Sequence, residues 1–179
     1  MPFVAHQVKH TQLNTQEVLS RIRSVIRDTD ILSWLGSVPS NFGDKAAGTI
    51  KADEWRTLVT VYLPIALISL WGLTGRQDDV APDLRAVLDH TMDLVCTVYL
   101  ACVHTTSNNH ATAYQAYIAS YVGKLKAIYP TFSVRPNHHA SFHIHNYLIL
   151  FGPVQSWWSF PFEHLIGILQ HLPKNHRAG

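Results

Sequence analysis

The chain reads as all-α: one irregular helical domain of about six helices. Three observations carry that expectation. Apolar residues recur at three-four spacing in segment after segment. No segment sustains the period-two alternation of a half-buried strand. Clusters of Pro, Gly, Ser and Asn fall chiefly between the periodic runs. The 179 residues suffice for a core that folds alone, and 47% hydrophobic with 15% charged residues excludes a disordered tail.

The first helix follows a capping-box spacing of Asn14 and Glu17, with Val18, Leu19, Ile22, Val25 and Ile26 on one face. Residues 1–14 before it are polar and read as a flexible N-terminus, ahead of a helical domain over 15–172. Arg21, Arg23 and Arg27 give this helix a basic side, which suits either solvent or phosphate. A short apolar turn, ILSWLG, and a Ser/Gly/Pro-rich loop from Ser37 to Gly48 come next.

Asp53 is the expected N-cap of the second helix, with Glu54 in its first turn. This helix runs to Gly72, and Pro64 inside it predicts a kink or a junction of two helices. Thr57 to Gly75 holds no charge apart from its flanks, but its strongly apolar part is short for a bilayer, so it reads as a buried core helix. Pro82 opens a longer helix with Leu84, Val87, Leu88, Thr91, Leu94, Val95, Val98, Tyr99 and Cys102 in rhythm. After the break at Ser107–Asn109, the next helix carries Tyr114, Tyr117, Ile118, Tyr121, Val122, Leu125 and Ile128 as its core face.

Pro136 opens a histidine-rich helix that Gly152–Pro153 stops. Pro161 opens the last helix, whose expected buried stripe is Phe162, Leu165, Ile166 and Leu169. Residues 173–179 form a basic tail with Lys174 and Arg177, a second candidate phosphate contact.

The net charge of +2 is too weak to imply nucleic-acid binding without local clustering. Cys96 and Cys102 point to different helix faces and do not bridge, which suits a nuclear or cytoplasmic protein. The opening residues lack the pattern of a signal peptide, and neither a phosphate-binding glycine motif nor a G-x-S-x-G elbow is present. His139 and His143 share a helix face, a spacing that suits two metal ligands or two packed histidines. Glu163, in a first helical turn, is either dipole-favoured or an acid for a divalent ion.

The strings WLGSVPSNFGDKAAGTIKADEWRTLVTVYLPIALISLWG, IYPTFSVRPNHHASFHI and LFGPVQSWWSFPFEHLIGILQ resemble fungal CACTA-type (En/Spm-like) transposases. The resemblance runs in motif order from near Trp34 to the C-terminus. It implies an RNase H-like nuclease that gathers three acids around Mg²⁺ or Mn²⁺ for cleavage and transfer of DNA strands. Glu163 matches the proposed third acid, and His139 matches a recurrent histidine that supports the site or its folding. Trp157 and Trp158 match aromatic positions suited to packing against the catalytic helix. His164 stands where relatives usually carry Arg. The family's first two acids lie in a β-rich core that the sequence lacks. The expectation is therefore a transposase-derived segment, inactive alone, whose partners are DNA and the missing core in cis or trans. The alternative is a non-catalytic helical module that binds DNA or protein.

Overall fold

Helix α1 (Thr15–Asp28) sets Glu17 in its first turn and Arg27 in its last, each charge matched to the helix dipole. Its residues Ile22, Val25 and Ile26 are buried as their spacing requires. The computed structural model describes residues 15–30, 36–72 and 82–170. The Asn14 cap, most of the ILSWLG turn, the N-terminal 1–14 segment and the basic tail with Lys174 and Arg177 lie outside the described residues. Every regular element among the described residues is helical, and α1 is the first of six helices when three successive elements after the loop are taken as one rod.

That rod is α2 (Ala52–Thr57), a π turn (Leu58–Tyr62) and α3 (Leu63–Trp71). Its cap is not Asp53 but Lys51, whose backbone N–H donates to Glu54 Oε2 at 2.8 Å. Asp53 sits one position inside the helix and still faces the positive end of the dipole. The disruption expected at Pro64 takes the form of the π turn. Proline has no N–H to offer the preceding turn, and the widened ring just before it absorbs the missing bond. The backbone stays helical through Thr57, Tyr62 and Leu63, so the rod is continuous. Among the described residues no helix is long and apolar enough to cross a membrane.

Besides a short 3₁₀ turn within the loop before the rod (Lys45–Ala47), the remaining elements are α4 (Pro82–Ala101), α5 (Asn108–Ile128), α6 (Pro136–Phe151), a 3₁₀ turn (Val154–Ser156) and α7 (Phe160–Gln170). Ser107 caps α5 by accepting from the His110 N–H at 3.2 Å. Helix α4 packs along α5 and, elsewhere on its surface, against the π turn and α3; α5 in turn packs on α6. Two apolar clusters result. One joins Ile22, Val25 and Ile26 to Val38, Leu58, Tyr62 and Ala66. The other joins Ala101, Ala111, Tyr114, Ile118 and Leu148. The Tyr114 hydroxyl donates to the Ser141 carbonyl at 2.8 Å, fastening α5 to α6, and burial pushes its pKa upward. Tyr99 and Tyr117 depart from the expected core faces, since both are exposed.

The expected stripe of α7 departs further. Phe162, Leu165, Ile166 and Leu169 are 67%, 52%, 52% and 54% exposed. The spacing makes the helix amphipathic as expected, but the stripe is not buried.

His90 on α4 is 2% exposed, and neither ring nitrogen has a hydrogen-bond partner. The ring stacks on Tyr121 with centroids 4.5 Å apart, and Tyr129 lies 5.9 Å away. Close by, Asp93 Oδ2 accepts from Ser120 Oγ at 2.7 Å and from Lys124 Nζ at 2.8 Å. Burial pulls the His90 pKa down; Asp93 opposes this and Lys124 adds to it. The folded chain therefore takes up this proton less readily than the unfolded chain. The stability from the neutral ring is fully present above the unfolded value, about 6.5, and is lost as pH falls from there through the lower folded value. The urea midpoint of the native chain should drop between pH 7.5 and pH 5, and His90→Phe, which keeps the stack and cannot protonate, should show a smaller drop. Equal slopes in the two proteins would show that His90 is not the titrating group.

Candidate functional site at the junction of α6 and α7

The functional wording of the sequence falls on one continuous unit: α6, the 3₁₀ turn and α7. Pro136 at the start of α6 follows Arg135 in an extended conformation (φ −110°, ψ 159°), which is what proline demands of its predecessor. The Arg135 backbone N–H donates to His138 Nδ1 at 3.0 Å, so His138 serves as a cap, with its ring edge-on to Phe132. His145 Nδ1 lies 3.1 Å from Asn146 Oδ1. His139 and His143 meet each other, Nε2 to Nε2, at 3.3 Å, and both are exposed.

Gly152 ends α6 at φ +77°, a region that only glycine enters without strain. The turn after it is fastened on three sides. Gln155 Nε2 donates to the Cys102 carbonyl beyond the end of α4. Trp157 Nε1 donates to the Gly152 carbonyl at 3.2 Å, and its ring packs edge-on against Tyr147 of α6 at 5.7 Å. The Arg56 guanidinium of α2 lies 5.5 Å from the Trp158 ring. Trp157 thus braces the helix before the turn. Burial raises the pKa of the Cys102 thiol, against a smaller lowering by Arg56, which keeps it protonated and inert as a nucleophile.

Glu163 stands at the fourth position of α7. Helical geometry sets it beside Ile166, Gly167 and Gln170, so it borders the apolar stripe of Phe162, Leu165, Ile166 and Leu169. The side chains of Glu163 and His164 lie outside the described part of the structure. Mg²⁺ and Mn²⁺ favour several oxygen ligands. The described residues just before α7 offer the Gln155 amide, the Ser156 and Ser159 hydroxyls and two indoles but no carboxylate, so by themselves they do not fit such an ion. Among the described residues, no group of three or more His, Cys, Asp or Glu could hold a metal ion together.

The basic side of α1 is partly spent on the fold. Arg21 Nε donates to Ser69 Oγ of α3 at 2.8 Å. Arg23 Nε donates to the Phe42 carbonyl at 2.8 Å, and its Nη2 pairs with Asp44. Arg27 is exposed at the helix end. Spacing alone showed three arginines on one helix; it did not show that two of them brace the loop and α3. No protein family, curated protein or solved structure matches the chain.

These contacts separate the arginines experimentally. Arg23→Ala should lower stability by about 1 kcal/mol, the net worth of its hydrogen bonds, because its partners are only partly shielded from water. Arg27→Ala should stay within about 0.5 kcal/mol of the parent chain. Urea unfolding of the two variants measures both, and equal effects would contradict the distinction.

Proposed function

We propose that this chain is a segment of a fungal CACTA-type transposase, carrying the region around the third catalytic acid and inactive as a nuclease by itself. The observation that carries this proposal is the string FGPV–QSWWS–FPFE, with Glu163 in the first turn of the helix that follows. Support comes from the way the string folds as one unit, with its glycine, glutamine and tryptophans holding the approach to α7. In this proposal the remaining acids come from a β-rich core supplied in cis or trans. One carboxylate cannot assemble a two-metal centre, which is why the chain alone is inactive. Mg²⁺ or Mn²⁺ belongs to the intact enzyme, DNA is its substrate, and a nuclear or cytoplasmic address follows.

A second reading, a non-catalytic interaction module, is favoured by a different observation. The exposed stripe on α7 suits an apolar protein surface, whereas Arg21 and Arg23 are already engaged within the chain. That points the module toward protein before DNA.

The purified chain should not nick supercoiled DNA with Mg²⁺ or Mn²⁺. Joined to an upstream reading frame that carries two further acids, it should nick, and Glu163→Gln should abolish that activity. Nicking by the chain alone that is lost in Glu163→Gln would contradict the segment proposal. A joined protein that cleaves equally well with Glu163→Gln would remove Glu163 from the chemistry.

A further inference from the structure

The exposed side of α6 presents a second kind of chemistry, which does not rest on the transposase proposal. Of the helix's four histidines, His138 spends Nδ1 on the Arg135 backbone N–H and His145 spends Nδ1 on Asn146. His139 and His143 instead turn Nε2 toward Nε2 at 3.3 Å, with ring planes 82° apart and centroids 5.0 Å apart. Two neutral imidazoles in that position share one proton, one nitrogen donating and the other accepting. The separation has another meaning. Two nitrogens bound to one tetrahedral zinc at about 2.0–2.1 Å stand about 3.3–3.4 Å apart. An ion can therefore replace the shared proton with little movement of either ring.

We propose that His139 and His143 form a bidentate site for a borderline divalent transition ion (Zn²⁺, Ni²⁺ or Cu²⁺), held through both Nε2 atoms and completed by water. Each ring binds as neutral imidazole. The proton of the donating Nε2 moves through water to Nδ1 of the same ring, so both Nε2 lone pairs face the ion and no net proton is released. Both rings are exposed, and the ion reaches them without opening the fold. The helix backbone fixes their four-residue spacing, so little order is imposed on binding. Imidazole prefers these ions to Mg²⁺ or Ca²⁺, which seek oxygen. The site is thus chemically separate from Glu163. The ion would staple one turn of α6 and stabilise the folded chain by linkage.

The test uses the untagged full chain, titrated calorimetrically with NiCl₂ and with ZnCl₂ at pH 7.5. The other histidines contribute background, so the readout is the difference between variants. His139→Ala and His143→Ala should each remove the same binding equivalent or weaken it at least about tenfold, the smallest loss expected when even second-sphere changes cost that much. His138→Ala and His145→Ala should retain it, and excess MgCl₂ should not displace the ion. Circular dichroism of each variant establishes that the helices persist. In the native chain, the Nε2 resonances of His139 and His143 should shift together on adding ZnCl₂, a readout independent of any substitution. The proposal is overturned if those resonances do not move, or if the equivalent survives both His139→Ala and His143→Ala.

Discussion

The structure depends on α4 having partners along more than one part of its surface. It packs along α5, and it also meets the π turn and α3. Of the two core clusters, one has seven buried residues and the other five, so neither offers much apolar burial alone. Joined through α4, they bury enough to hold one domain. The polar clasp of Asp93 with Ser120 and Lys124 fixes how α4 and α5 sit against each other. His90 is the exception in this wall: a polar ring enclosed with no hydrogen bond, held by stacking on Tyr121.

The helices were legible because their boundaries are written in covalent chemistry. Pro82, Pro136 and Gly152–Pro153 each set the backbone locally, Ser107 caps α5 through its side chain, and tertiary packing does not overrule them. The cap of α2 was not legible, because Lys51 takes part through its main chain, which any residue supplies. Pro64 announced a disruption but not its form; a π turn and a kink answer the same missing N–H. His90 escaped for a different reason. A reading of periodicity counts apolar residues, and an imidazole on the buried side of α4 looks like an interruption of the pattern.

The candidate site was legible in composition and less so in roles. Spacing identified His139 and His143 as neighbours on α6, but rotamers decide whether their nitrogens meet, and spacing is silent on rotamers. It also could not show that His138 and His145 have other partners. The tryptophan pair announced an aromatic cluster. Only the fold shows that Trp157 braces α6 and that Trp158 faces Arg56.

Helix α7 shows where pattern and packing part company. The approach to it is set by Gly152, by the Gln155 bond to Cys102 and by the tryptophan contacts, all of which precede the helix. Those anchors are polar and aromatic, so they hold the turn whether or not the apolar stripe finds cover. The stripe then keeps its burial energy in reserve. Phe162, Leu165, Ile166, Ile168 and Leu169 are each at least half exposed. Covering them would contribute on the order of 5 kcal/mol before the costs of association. A helix with local order fixed upstream and apolar area left over is suited to meet a surface that the described residues do not supply. That description fits a protein surface. It does not apply to DNA, whose backbone calls for free cations, and two of the α1 arginines are already committed within the fold.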